Sequence, residues 1–201
     1  MAANPFTFFI FDLFIIAAIL ITAYTCNFYY LVFLSARRKE TYPTGIFDEP
    51  TITIQLPIYN EKYVAARLVD AVCAMDYPKE KMKIMVLDDS NDETVELLEN
   101  IVNHHKKNGY DIIHVRRENR IGYKAGALKH AMKFTTTEFV AIFDADFIPP
   151  TWYLKKAIPH FVNQKIGLVQ CRWGHLNENY SALTQAQALS LDFHFLIEQK
   201  A

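Results

Sequence analysis

The pattern of apolar and polar positions divides this chain into two regimes. From Leu13 to Leu34 the sequence LFIIAAILITAYTCNFYYLVFL runs without a charge. At about 1.5 Å per residue, a helix of that length reaches about 33 Å, slightly more than the ~30 Å hydrocarbon layer of a bilayer. The remainder alternates short β-rich runs with stripes of helical period, the signature of a parallel α/β architecture. The pattern predicts strands from Thr51 to Leu56, Lys83 to Leu87, Asp111 to Val115, Phe139 to Phe143 and Gly167 to Cys171. It predicts helices from Glu61 to Met75, Asp92 to Lys106, Lys124 to Phe134 and Thr151 to Val162. In the second of these, Val95, Leu98, Ile101 and Val102 share a face opposite Glu96, Glu99 and Asn103, which predicts packing on the sheet. A last helix from Ser181 to Lys200 carries Leu183, Ala186, Leu189, Phe193 and Ile197 along one side, a stripe that fits core or membrane-interface contact and is read as a core face.

Charge decides how the apolar segment is used. Asp12 lies just outside it, and Tyr24, Tyr29 and Tyr30 fall in its second half, the last two near the headgroup layer. A cleavable signal peptide would need a positive start, a shorter apolar run and a small-x-small cleavage site, none of which is visible. Positive residues instead follow the segment at Arg37, Arg38 and Lys39. The positive-inside rule then puts the N-terminus outside or in a lumen and everything after the segment in the cytoplasm. The expected organisation is a transmembrane anchor over residues 1–36, a linker over 37–50 and a single α/β domain over 51–201, with Thr41 to Pro50 supplying the Pro and Gly of the linker. The lipid bilayer is an expected partner.

Composition removes other classes. A chain of 201 residues that is 51% hydrophobic and 21% charged has a core and is not a disordered tail. A formal net charge of −1 provides no global field for nucleic acid. Cys26, Cys73 and Cys171 are odd in number and widely spaced, so neither a disulfide framework nor a zinc knuckle is indicated. His104, His105 and His130 read as solvated helix residues without a second ligand at metal spacing. Trp152 and Trp173 read as packing residues, with sugar stacking left open for Trp173.

In open parallel sheets, ligands bind beyond the carboxyl ends of the strands, and polar clusters sit at those positions here. The first strand leads into Pro57-Ile58-Tyr59-Asn60-Glu61, the second into Asp88-Asp89-Ser90, and the fourth into Asp144-Ala145-Asp146. The third leads into Arg116-Arg117-Glu118-Asn119-Arg120-Ile121-Gly122-Tyr123-Lys124-Ala125-Gly126. Asp144 and Asp146 suit a hard divalent cation such as Mg²⁺ bound to a diphosphate, because hard cations take carboxylate and phosphate oxygens; a helix N-cap or a solvated turn is the other reading. For Asp88 and Asp89 the readings are capping of an acidic helix start or contact with a base or ribose. Arg117, Arg120 and Lys124 form either a solvated basic loop or a phosphate site at a helix start. There is no G-x-x-x-x-G-K-[ST] loop and no G-x-G-x-x-G after a strand, which removes support for P-loop ATPases and dehydrogenases.

Taken together these residues resemble the family 2 glycosyltransferases, the membrane synthases of β-linked polysaccharides. Pro57 to Glu61, Val86-Leu87-Asp88-Asp89-Ser90, Arg117-x-x-Arg120-x-Gly122-x-Lys124-Ala125-Gly126 and Asp144-Ala145-Asp146 carry the likeness. Val169-Gln170-Cys171-Arg172-Trp173-Gly174-His175-Leu176-Asn177 looks more like the glucomannan and related hemicellulose-type synthases than cellulose synthase. The resemblance implies a GT-A type, Rossmann-like nucleotide-sugar domain in a plasma or Golgi-type membrane. It implies that Tyr59, Glu61 and Asp88 or Asp89 contact the nucleoside of the donor. Lys124 would reach the nucleotide or its phosphates, and Asp144 with Asp146 would hold the donor and Mg²⁺ or Mn²⁺. The implied reaction is inverting transfer of a hexose from a UDP- or GDP-linked sugar to a β-linked glycan acceptor, with a carboxylate taking the acceptor proton.

The family's general base, in a Thr-Glu-Asp type element, and its Gln-x-x-Arg-Trp element lie well downstream of the Asp-x-Asp pair. Only 55 residues follow Asp146 here. Gln170-Cys171-Arg172-Trp173 differs from the acceptor element in spacing, and Glu178, Asp192 and Glu198 are the remaining acidic candidates. The expectation is therefore the donor-binding portion of a longer enzyme, with its base beyond residue 201 and little or no turnover by this portion alone. Two rival readings are a haloacid-dehalogenase-like phosphatase, whose Asp-x-Asp belongs on the first strand, and a membrane-anchored, non-catalytic nucleotide-binding module.

Overall fold

The structure is a computed structural model that describes residues 4–38, 43 and 48–200. Lys39 and most of the expected linker lie outside the described residues. What is described falls into two units, one formed by residues 43–169 and the other by residues up to 42 together with 170–201.

The α/β unit holds a parallel sheet of four strands: β1 (Ile52–Ile58), β2 (Met82–Asp88), β3 (Asp111–Arg116) and β4 (Phe139–Ile142), in the order β3-β2-β1-β4. The helices α2 (Ala65–Cys73), α3 (Thr94–Lys107), α4 (Tyr123–Ala131) and α5 (Tyr153–Ala157) accompany it. Period-two alternation sorts the strand residues. Ile52, Ile54, Leu56 and Ile58 of β1 join Ile84 and Val86 of β2 in a core with Leu68, Val69 and Val72 of α2 and Leu98 and Val102 of α3. Met85 and Leu87 face the other way and pack with Ala127 and Ala131 of α4. The sheet is thus covered on both faces, which is why β1 is buried along its whole length, Thr53 and Gln55 included. Those two polar side chains find partners: Thr53 Oγ1 lies 2.7 Å from Thr137 Oγ1, and Gln55 Nε2 donates to Thr135 Oγ1 at 3.2 Å.

The chain runs outward from β1 to β2 and β3, then returns across the sheet through α4 to β4 on the opposite side of β1. The strand order therefore reverses between β1 and β4, the place where doubly wound sheets open a crevice for ligands.

Two expectations are corrected. Residues 167–171 form no strand; Leu168 is largely exposed, and an apolar, β-branched run becomes a strand only where a neighbouring strand takes up its backbone hydrogen bonds. His105 is not a solvated histidine: its Nε2 lies 2.7 Å from Asp70 Oδ1 and its ring meets Tyr110, which pins α3 to α2.

In the other unit, α1 (Pro5–Arg37) is a continuous helix of 33 residues, longer at both ends than the charge-free run and carrying Asp12 within it. Asn4 caps it, its Oδ1 accepting from Phe6 N at 3.1 Å, with Pro5 at the first helical position. Its best 18-residue window has a mean hydropathy of 2.5, and its side chains are exposed along most of its length. Thr22 and Thr25 donate to the carbonyls of Ala18 and Ile21, each at 2.8 Å, so neither hydroxyl is left bare on an apolar helix. Cap, length and composition together suit a membrane span. The last helix, α6 (Ala182–Phe193), starts at a Ser181/Thr184 capping box and passes into a π-helical turn at His194–Glu198. Phe193 stacks on Phe28 at 5.0 Å. The stripe read as a core face is largely exposed, with Leu183 at 70% and Leu189 at 74%, while Ala188 and Phe195 are buried instead. The exposed leucines belong to the regular part of α6 ahead of the π turn, where the helix buries a different side, at Ala188.

Candidate functional site

The registers Ile58↔Asp88 and Asp88↔Arg116 bring the carboxyl ends of β1, β2 and β3 level. The first, second and third polar clusters therefore leave the sheet side by side. β4 reaches the same edge through Phe143, whose N–H donates to Gln55 O at 3.3 Å. The alternation of β4 continues past its last ladder bond: Phe143 and Ala145 are buried in the core, and Asp144 and Asp146 face outward between and beyond them. Phe147 N donates to Asp144 O at 3.1 Å to close the turn, and Arg67 of α2 donates to Asp146 O at 3.3 Å. Packing and turn geometry together present two carboxylates at the switch point.

Glu61, just after β1, shares that space. Its pKa is raised, first by burial and then by the negative fields of Asp146 and Asp144, so three carboxylates face one region. Among the described residues no group of three or more His, Cys, Asp or Glu side chains is drawn together as a metal cage. Asp144 and Asp146 are instead an open pair of hard oxygen donors, which fits a divalent cation whose other positions belong to a diphosphate and water.

The basic loop folds onto the acidic ends of the strands. Arg117 grips Asp89 through both carboxylate oxygens, Nε to Oδ1 at 2.9 Å, and the partners are nearly enclosed, with side chains 10% and 7% exposed. The same guanidinium donates to the carbonyls of Ile121 (2.9 Å) and Tyr123 (3.1 Å), so Arg117 is the internal strut of the loop and not a free phosphate ligand. Gly122 begins α4 with φ +73°, and Tyr123 follows at φ 49°. Gly126 lies against the loop so closely that a Cβ would sit 2.0 Å from Ile121 O and 2.8 Å from Arg117 Nη1. Only glycine fits there. No side chain caps the start of α4. Lys124, in its first turn, pairs with Asp144, both side chains remaining about half exposed.

Arg120 lies flat over Tyr59, its Cζ 3.2 Å from the ring centroid, with Tyr123 at 5.1 Å on another side. Its Nε is buried without a hydrogen-bond partner. This stack joins the first and third clusters, and sequence alone gives no spacing that would reveal it.

Asp88 is turned inward, its side chain wholly buried. Oδ1 accepts from Ser90 N at 2.8 Å, and Oδ2 lies 2.9 Å from His114 Nε2 and 3.6 Å from Arg116 Nε. Burial raises its pKa, but hydrogen bonds from His114 and Ser90 outweigh that, and the carboxyl titrates below its ordinary range. Ser90 Oγ in turn accepts from Asn60 N at 2.9 Å, and Asn60 and Asn91 exchange hydrogen bonds of 2.9 and 3.0 Å. These bonds hold Asn60 in the left-handed region at φ 56°, a conformation Asn tolerates better than most residues. Ser90 belongs to the second polar cluster read from sequence, whereas His114 and Asn91 were not expected from it. The register Val86↔His114 sets His114 two residue pairs away from Asp88, so pairing is the signal that was needed.

Comparisons with known proteins agree with this arrangement. The family model described as "Glycosyl transferase family 2" matches residues 53–200. Probable glucomannan 4-beta-mannosyltransferase 3 of Arabidopsis thaliana is 43% identical over 157 residues, covering 76% of this chain and 28% of the relative. Probable glucomannan 4-beta-mannosyltransferase 4 of Oryza sativa subsp. japonica is 44% identical over 157 residues, covering 76% and 29%. The chain therefore spans less than a third of the length of these relatives. Among solved structures, the mannosyltransferase PcManGT from Pyrobaculum calidifontis, in complex with GDP-Man and Mn²⁺, superposes with a TM-score of 0.65 at 26% identity, covering 77% of this chain and 46% of that one.

Proposed function

Because the chain belongs to glycosyl transferase family 2, we propose that it is the donor-binding part of a membrane-anchored inverting mannosyltransferase that builds a β-linked glycan from GDP-mannose. The convergence of Glu61, Asp144, Asp146 and Lys124 at the β1/β4 switch point carries this reading. The names of the curated relatives and the GDP-Man in the archaeal structure favour mannose and guanosine over the UDP-linked alternative. Neither a phosphatase nor a non-catalytic module is supported by these matches.

In this reading Tyr59 and Arg120 form the wall on which the nucleoside lies, with Glu61 beside it, while Asp89, locked to Arg117, braces the loop that carries Arg120. Asp88 acts one step back, fixing the turn that carries Tyr59 and Glu61. Lys124 neutralises negative charge on the diphosphate, and Asp144 with Asp146 would hold Mn²⁺ or Mg²⁺. A bound cation supplies charge neutralisation of the leaving diphosphate. The carboxylate that takes the acceptor proton is assigned to a part of the relatives that this chain does not cover. Of the acidic residues near the C-terminus, Asp192 is already held by Arg172 and His175, and Glu198 by His194. Arg37 and Arg38 after the span favour a cytoplasmic donor site.

Calorimetric titration of the detergent-solubilised chain with GDP-mannose and UDP-glucose, each with and without Mn²⁺, tests the proposal. Saturable, Mn²⁺-dependent heat with GDP-mannose is expected. Binding of neither donor overturns it.

A further inference from the structure

The two ion pairs made by the basic loop differ in kind. Arg117 and Asp89 are bidentate and nearly enclosed, with side chains 10% and 7% exposed, and Arg117 also braces two loop carbonyls. That pair is part of the scaffold. Lys124 and Asp144 meet through a single ammonium contact with side chains 52% and 41% exposed. An exposed Lys–carboxylate pair contributes little to stability, so exchanging it for a stronger partner costs little. Its position is also specific. Lys124 is placed on a carboxylate of the Asp144/Asp146 pair at the carboxyl edge of the sheet.

We propose that Lys124 is a displaceable counterion, which in the unliganded chain covers Asp144 against a lone divalent cation and moves to the diphosphate when cation and nucleotide arrive together. The inference rests on the donor-site reading given above and deepens it. Two charge states follow. Without nucleotide, the ammonium occupies one of the carboxylate oxygens that a cation requires, so Mn²⁺ alone binds weakly. With nucleotide, the diphosphate offers Lys124 a denser negative partner, and Asp144 is released. Metal and nucleotide are thereby coupled through one side chain, and by linkage each raises the affinity of the other equally. Such a device protects the site from free cations while leaving it ready for the complete donor.

The test is binding, read without turnover. Mn²⁺ alone is titrated into the full chain in detergent and followed by electron paramagnetic resonance of free Mn²⁺, and GDP is titrated by calorimetry with and without Mn²⁺. For Lys124→Gln, Mn²⁺ alone should bind about two- to fivefold more tightly, because a competing cation is gone, which corresponds to about 0.4–1 kcal/mol, the range of an exposed pair. GDP in the presence of Mn²⁺ should bind at least tenfold more weakly, and the mutual enhancement between the two should shrink. Lys124→Arg, which keeps the charge, should hold Mn²⁺ affinity near that of the parent and serves as the folding control. If Lys124→Gln leaves Mn²⁺ affinity unchanged or weakens it while the parent still binds Mn²⁺ and GDP together, the counterion role is wrong and the donor site stands. If the parent shows no Mn²⁺-dependent GDP binding, the donor site itself fails.

Discussion

Arg117 closes on Asp89 with two parallel hydrogen bonds across the mouth of the β2–β3 edge, and the same guanidinium holds the carbonyls of Ile121 and Tyr123. One side chain thus fixes the loop that presents Arg120 and Lys124. Arg117→Ala leaves Asp89 nearly enclosed and unpaired, a change that costs about 3 kcal/mol when a desolvated pair is broken. Urea unfolding followed by circular dichroism should show that loss. Arg117→Lys should recover only part of it, since an ammonium cannot make the forked contact.

Gly126 gives a sharper steric test. A methyl group there would meet Ile121 O at 2.0 Å, so Gly126→Ala must push the loop away from the start of α4. Overpacking of this kind costs about 1–3 kcal/mol. GDP affinity should fall at least tenfold, while Gly109→Ala, at a site with open space but φ +83°, should destabilise modestly and leave GDP affinity as it is.

The buried pair of Asp88 and His114 predicts a pH effect of known sign. Burial raises the Asp88 pKa, and the hydrogen bonds from His114 and Ser90 bring it below the usual carboxylate range. A carboxyl with a depressed native pKa contributes stability that is complete above its unfolded pKa, about 3.9, and is lost as pH falls through the native value. His114→Phe removes a donor and leaves burial less opposed, so the Asp88 pKa rises. The acid-unfolding midpoint, followed by near-ultraviolet circular dichroism, should move to higher pH. An unchanged midpoint would mean the pair does not stabilise the fold.

The helix α1 predicts a topology. In sealed vesicles the chain should resist alkaline extraction, and a cysteine reagent that cannot cross membranes should label Cys171 only from the side that bears Arg37 and Arg38. Labelling from the opposite face would reverse the orientation inferred from those arginines.

Much of the site was legible in the sequence because each polar cluster directly follows an apolar run, and a parallel sheet places all such junctions on one edge. The Asp144 and Asp146 positions were readable for a further reason: the two-residue period of β4 continues through Phe143 and Ala145. What stayed hidden depends on contacts between distant segments. That Arg117 would meet Asp89 and Arg120 would lie on Tyr59, so that of three cations spaced three and four residues apart only Lys124 faces Asp144, follows from loop geometry that linear spacing does not encode. Residues 167–171 failed as a strand for a related reason, since composition marks the capacity to pair and not the presence of a neighbour. The stripe on α6 groups residues of one side as the helical period requires, but the period does not say which side meets the core, and Leu183 and Leu189 lie on the exposed one.

The central claim is that Asp144, Asp146 and Lys124 together receive a cation-bound nucleoside diphosphate. The most direct measurement is a crystal structure of the chain grown with GDP and Mn²⁺, with anomalous scattering locating the metal. The account predicts an anomalous peak at the carboxylates of Asp144 and Asp146, with Lys124 Nζ moved from Asp144 to a phosphate oxygen and the guanine beside Tyr59. A GDP molecule bound elsewhere, or bound at this edge with no metal at either carboxylate, would contradict it.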